Sequence, residues 1–461
     1  MALTGRAGLL AALGALVVLF APRPGLAVLG IVLLLAFLVV VDLIFAGGVR
    51  PLRFSREGER LVRLGQSVTV GLIVENPGTR RVRGVLRDAW PPSAGATPRR
   101  LDIDVPRGER RRLTVTLTPT RRGDREAVTV TVRSLGPLGL AGRQGRHRVP
   151  WSVRVLPPFL SRRHLPAKLA RLRELDGQHP ALVRGQGTEF DSLREYVVGD
   201  DVRSIDWRAS ARRNDVVVRT WRPERDRRVL IVLDTGRTSA GRVGTAPIPS
   251  APEQAEPAGG DRSDQGDGGR RPPPGWPRLD WSMDAALLLA ALAARAGDRV
   301  DFLAYDRVVR AWLSGAARTE LLSSLVNVMA PIEAELVEAD SPGMVAAVLA
   351  RAKRRCLVVL LTDLNATAME EGLLPLLPQL SSRHLVLVAA VADPRVAAMA
   401  SGRGTSEQVY DAAAAEQLRG ERRRITSLLR RHGVEVVDAL PEDVAPALAD
   451  AYLALKAAGR L

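Results

Sequence analysis

Arg228-Val229-Leu230-Ile231-Val232-Leu233-Asp234 is an unbroken apolar run that ends on a carboxylate. Strands that read this way, without polar alternation, are covered on both faces, as in parallel sheets. Similar runs recur at residues 299–305, 356–362 and 384–391, and helical patterns separate them at 284–296, 319–328, 412–431 and 445–458. The alternation predicts a doubly wound, largely parallel α/β domain over residues 227–461. Ligands of such sheets sit at the carboxyl ends of the strands, where Asp234 and Asp363 fall.

Upstream the period changes. Residues 67–74, 112–117 and 127–132 alternate apolar and polar side chains, and turn residues such as Asn76-Pro77-Gly78 bound them. This predicts a small antiparallel β-sandwich over residues 49–158, with no carboxylate pair or histidine cluster in it. Two apolar stretches open the chain, at residues 7–22 and 25–46, the second interrupted only by Asp42. Pro22-Arg23-Pro24-Gly25 reads as a tight turn, so residues 1–48 form a transmembrane hairpin of two helices. Arg50, Arg53, Arg56, Arg60 and Arg63 follow the second stretch, whereas the turn carries only Arg23. The excess of positive charge there predicts a multi-pass cell-membrane protein with its C-terminal region in the cytoplasm. Asp42, near the inner end of its helix, is expected to snorkel or to pair.

The 461 residues carry 67 Lys and Arg against 50 Asp and Glu, a formal charge of +17. Anionic lipid accounts for that balance better than nucleic acid, since no zinc-ligand spacing and no basic patch interleaved with aromatics is present. Cys356, the single cysteine, lies in an apolar run, which excludes an internal disulfide and argues against a reactive thiol.

Residues 159–226 hold a dense polar block. Within it stand Glu189-Phe190, Leu193-Arg194-Glu195-Tyr196, Gly199-Asp200, Ile205-Asp206-Trp207 and Ser210-Ala211-Arg212. Arginine forks bridging carboxylates should make it a cross-linked network around Phe190, Tyr196, Ile205 and Trp207. In order and spacing these elements resemble the signature of the domain-of-unknown-function 58 family. The resemblance implies two spans, a β-rich region, this block and a von Willebrand factor A-like domain. It also implies a MoxR-type AAA+ ATPase as partner, but no reaction.

The von Willebrand A fold usually carries Asp-x-Ser-x-Ser in its first loop, which binds magnesium together with a Thr and an Asp from later loops. Here the loop reads Asp234-Thr235-Gly236-Arg237-Thr238, and Asp363 fits the later acidic position. Gly236 removes one oxygen ligand, leaving Asp234, Thr238 and Asp363 as a degenerate magnesium site. The competing reading is a metal-free loop in which Arg237 pairs with Asp234 or Asp363, and the missing ligand and the nearby cation both favour it. Residues 239–279, rich in Gly, Pro, Asp and Arg, read as a disordered insertion after this loop.

No phosphate-binding loop, His-Glu-x-x-His or Gly-x-Ser-x-Gly elbow occurs, and the five histidines are dispersed. With no catalytic residue to name, the weight falls on a membrane-anchored cytoplasmic adaptor that binds protein partners through the Asp234 and Asp363 edge. The alternative is a hydrolase of the cell envelope using carboxylates of the block, Asp200 and Asp206.

Overall fold

The computed structural model describes residues 2–178, 189–197, 202–213, 215–222, 227–245 and 274–461. The chain forms two compact units that divide after Pro158.

The first unit opens with α1 (Gly5–Leu19) and α2 (Pro24–Phe45). With 22 residues and a mean hydropathy of 3.1, α2 is long and apolar enough to cross a bilayer. At about 1.5 Å per residue, α1 spans only about 22 Å, short of a typical hydrocarbon core. Seven main strands follow: β1 (Arg53–Gly58), β2 (Val68–Glu75), β3 (Val82–Asp88), β4 (Arg100–Val105), β5 (Arg110–Leu117), β6 (Gly123–Leu135) and β7 (Ala141–Leu156). They form two sheets, with order β7-β6-β3-β4 in one and β1-β2-β5 in the other. The alternating residues Leu72, Val74, Val82, Leu86, Ile103, Val105, Val130 and Val132 meet in one core, as the period of two requires.

Among the described residues no cation pairs with Asp42. It is fully buried and accepts the backbone N–H groups of Leu138 (2.7 Å), Leu140 (2.5 Å) and Ala141 (2.9 Å). The same turn is held from the start of α1: Thr4 donates its hydroxyl to the Gly139 carbonyl and its N–H to the Leu140 carbonyl. Both outer ends of the helix pair therefore clasp one turn between β6 and β7. A carboxylate that accepts several amides is well solvated by the protein itself, which explains a charge at the end of so apolar a helix. Arg56 also departs from its expected role: it is buried, pairs with Asp88 on the opposite sheet and so is withdrawn from the juxtamembrane positive charge.

In the second unit, α3 (Leu165–Gln178) precedes an antiparallel pair, β8 (Glu189–Glu195) and β9 (Val217–Arg222), with α4 (Trp207–Arg213) between them in sequence. The main sheet contains β10 (Arg228–Asp234), β11 (Arg299–Tyr305), β12 (Val309–Leu313), β13 (Leu357–Leu361), β14 (Leu385–Val391) and β15 (Glu435–Ala439). Its order is β12-β11-β10-β13-β14-β15, parallel except for β12 at one edge. The chain winds outward from β10 to one side, then returns to lay β13 against its other side. The switch point lies between β10 and β13.

Helices cover both faces. On one, α7 (Ser341–Arg351) and α8 (Ser406–Arg431) pack Val345, Val348, Ile425 and Leu429 on Leu230, Val232, Val358 and Val388. On the other lie α5 (Arg278–Arg295), buried along nearly its whole length, α6 (Leu321–Met329), which packs against it, and α9 (Val444–Ala457). The ends of the insertion belong to the fold. Arg242–Thr245 pairs with Pro274–Pro277 as a short antiparallel ribbon, while residues 246–273 lie outside the described residues.

Asp284 sits in the buried helix α5, where both carboxylate oxygens accept the Ser161 N–H at 3.2 Å. Burial outweighs these bonds and pushes its pKa up to about 6. The native state thus holds a proton that the unfolded chain has already lost. Stability from this group is complete below the ordinary carboxylate range and is lost as pH rises through about 6. At most about 3 kcal/mol is at stake. Comparing thermal unfolding of wild type and Asp284→Asn across pH 4 to 8 measures it: the substitution is expected to flatten the decline that wild type shows on the alkaline side.

Candidate functional site: the switch point of the parallel sheet

Asp234 ends β10 at the switch point and is 5% exposed. Its Oδ1 accepts the Gly236 N–H at 2.8 Å, and its Oδ2 accepts the hydroxyls of Thr238 at 3.0 Å and Thr362 at 2.7 Å. Burial raises its pKa, these three donors oppose the rise, and the neighbouring Asp306 adds to it. Among the described residues no cation pairs with Asp234.

Asp306, just past β11, accepts Thr235 Oγ1 at 3.1 Å, the amides of Arg307 and Val308, and Arg310 Nε at 2.5 Å. Burial alone would raise its pKa, but Arg310 and the amides hold it below the ordinary value. The segment before α7 closes the other side. Arg237 N–H donates to the Val337 carbonyl at 2.8 Å, Glu335 N–H to Thr235 at 2.8 Å, and Asp340 N–H to Asp306 at 3.0 Å. Asp340 also caps α7 through the Gly343 N–H and accepts the Tyr305 hydroxyl at 3.3 Å. Three loops are thereby knitted together around the end of β10.

Asp363 does not join this set. Its Oδ1 takes Arg422 Nη1 at 2.7 Å, and Arg278 stands 3.6 Å from its Oδ2. Arg422 also grips Asp438 at 2.7 Å. Burial works against the charge of Arg422, but the two aspartates outweigh it and raise its pKa. The cation expected in this region is therefore Arg422, supported by Arg278. Arg237 instead turns outward, two-thirds exposed, with Glu338 at 3.9 Å as its nearest carboxylate.

These residues do not fit a magnesium centre of the kind the resemblance implies. The later acidic position is neutralised by two guanidiniums, and no group of three His, Cys, Asp or Glu side chains converges among the described residues. Gly236 has its own reason to lack a side chain. A Cβ there would lie 3.0 Å from the Val337 carbonyl and 3.1 Å from Asp234 Oδ1, tighter than such contacts normally run. The approach of the Val337 segment fills the place of the missing serine.

The polar block builds a separate brace. Leu193 and Arg194 register with Arg219 and Val218 across the β8–β9 pair, and Ile205 bridges to Val218. Asp206 caps α4, accepting the amides of Arg208 (3.1 Å) and Ala209 (3.0 Å), and it takes Arg219 Nε at 2.8 Å. The Ala209 amide foremost, then Arg219, holds Asp206 below the ordinary carboxylate range. It is a structural cap with its lone pairs engaged, a poor proton carrier near neutral pH. Ser210 accepts the Val217 N–H at 2.9 Å and returns its hydroxyl to the Asp206 carbonyl. Tyr196 adds a backbone bond to Val216 at 2.8 Å, while Ala211 and Arg212 lie on the exposed face of α4. Trp207 is not an internal anchor, being 67% exposed. Glu189 and Phe190 contribute their backbone to β8, and Gly199 and Asp200 lie outside the described residues.

Thr362, Asp306, Arg310 and Arg422 were not singled out from the sequence. Thr362 and Asp306 follow the ends of apolar strands, a position that marks them in hindsight. Arg422 sits in a helix crowded with arginines, where nothing local distinguishes it.

Residues 192–247 match a family model described as "Protein of unknown function DUF58", which supports the family that the motifs resemble. The chain matches no curated protein. Among solved structures, it is similar to the CARDB domain of a Pyrococcus furiosus protein, crystallised in complex with di-metal ions. The identity is 17% over 24% of this chain and 89% of that one, with a TM-score of 0.19. The solution structure of the same domain gives 16%, 23%, 94% and 0.18. A PapD-like domain of human CEP192 gives 16%, 22%, 84% and 0.17. Scores this low carry no argument about the whole fold or its function.

Gly236→Ser, which restores the absent oxygen, is expected to lower the unfolding midpoint by crowding the Val337 segment. It is also expected to give no magnesium heat in calorimetric titration; saturable heat would contradict the metal-free reading.

Proposed function

We propose that this chain is a membrane-anchored adaptor whose α/β domain, of von Willebrand A type, binds a protein partner at the switch point of its sheet. The observation that carries the reading is Asp234: a buried carboxylate that no cation among the described residues pairs with, placed where sheets of this winding bind ligands. Asp306 and Asp363 beside it are each matched to arginine. A partner that brings a cation or hydrogen-bond donors to this edge would complete what the free chain leaves uncompensated.

In this reading α1 and α2 form a two-span hairpin with both ends at the cytoplasmic face of the cell membrane, and the β-sandwich is the spacer. The clasp of Thr4 and Asp42 on one turn supports a common side for the two ends. The partner is a MoxR-type AAA+ ATPase, on the strength of the family resemblance. The block supplies rigidity, since Asp206 is spent on capping α4.

Proximity labelling from the full chain in its native membrane tests the proposal. A MoxR-type ATPase should be enriched with wild type and lost with Asp234→Ala. Equal enrichment with that variant, or none with wild type, would refute it.

A further inference from the structure

Among the described residues the sheet ends at β15, whose outer edge pairs with no further strand. The Ala439 carbonyl accepts the Ala392 N–H at 2.8 Å, so the backbone of Ala439 faces β14. By alternation, Glu435 and Val437 also face β14, while the amides and carbonyls of Val436 and Asp438 point outward. Among the described residues the outward Val436 carbonyl meets a single long contact, from Arg430 Nη2 at 3.4 Å. Asp438 is exposed as a residue even though Arg422 holds its carboxylate.

A cavity of ≈ 590 Å³ lies along this edge, lined by residues 436–439, by Arg423, Thr426, Ser427 and Arg430 of α8, and by Ala447 of α9. A second cavity of ≈ 590 Å³ shares Arg423, Asp438 and Ala439 with it and continues past the carboxyl ends of β14 and β15. Together they form a groove whose floor is the outer edge of β15 and whose walls are helices from opposite faces of the sheet.

The charge along the first cavity, where the strand edge lies, is one-sided, with Arg423 and Arg430 against a single acid. That acid, Asp438, is neutralised by Arg422 through bonds of 3.2 and 2.7 Å. Arg430 reaches only a carbonyl, and Arg423 stands 3.5 Å from Glu416 with most of its side chain exposed. Natural proteins usually cover or blunt an open edge, because its free amides and carbonyls template another strand.

We propose that β15 is an augmentation site, where an extended acidic segment of a partner protein adds as a seventh strand. Main-chain bonds go to Val436 and Asp438 and displace the Arg430 contact. Side chains on one face of the added strand set carboxylates against Arg423 and Arg430, and those on the other meet the small Ala447. The site is separate from Asp234 and does not depend on the switch-point reading.

The test uses the full chain in lipid nanodiscs and a labelled short peptide of alternating Glu and Val, with a Lys and Val peptide as control. The acidic peptide should bind and slow amide exchange at Val436 and Asp438, leaving Val437 and Ala439 unchanged, since those amides are already bonded to β14. Reversing Arg423 and Arg430 to Glu should weaken binding about tenfold. Unchanged exchange at Val436 and Asp438 with the peptide bound overturns strand addition, as does a failure of the acidic peptide to bind. Equal binding of the Lys peptide overturns the charge preference. If the reversed variant does not fold, the exchange pattern of wild type decides alone.

Discussion

A carboxylate buried at the carboxyl end of β10, with no cation paired to it among the described residues, is the constraint around which this α/β domain is arranged. Taking a charge out of water is costly, and the protein offsets the cost locally with one amide and two threonine hydroxyls. Thr238 comes from the loop that follows β10 and Thr362 from the end of β13, so Asp234 itself ties the two strands that flank the switch point. Packing elsewhere follows from the strands it ends. Leu230 and Val232 serve one core face, and their neighbours in β10 the other.

The surrounding charges are settled differently. Arg422 lies between Asp363 and Asp438 and fixes α8 over the ends of β13 and β15. Arg310 satisfies Asp306. Around the end of β10, guanidiniums neutralise Asp306 and Asp363 and leave Asp234 out. The approach of the Val337 segment to Gly236 reinforces that outcome, because a side chain there would crowd the Val337 carbonyl.

What could be read from the sequence divides by burial. Strands β10, β11, β13 and β14 stand out because parallel strands covered on both faces are continuously apolar. The edge strands β12 and β15 escape notice, since short, half-exposed segments such as Val309–Leu313 carry no such run. The sandwich is legible through its period of two, but Arg56 is not, because a buried arginine paired across sheets reads in sequence as one more basic residue after a membrane helix. Asp42 was visible as an anomaly, and only the turn 138–141 explains it. At the switch point, Asp234 and Thr238 were found by motif and do converge, whereas Asp363, equally well placed in sequence, is drawn away by Arg422 from a distant helix.

Burial of Asp234 thus costs the free chain stability. Its raised pKa means that ionisation of the carboxyl opposes folding, so wild type loses stability as the pH rises through the folded-state value. Threonine hydroxyls can reverse to accept from an amide, so asparagine fits the same place. The most direct measurement is the thermal unfolding midpoint of Asp234→Asn against wild type, taken at neutral and at acid pH. The account predicts that the variant is the more stable at neutral pH and that its advantage shrinks as the pH falls and wild type becomes protonated. A variant less stable than wild type at neutral pH would show that the carboxylate serves the fold, and would contradict the claim that it is held for a partner.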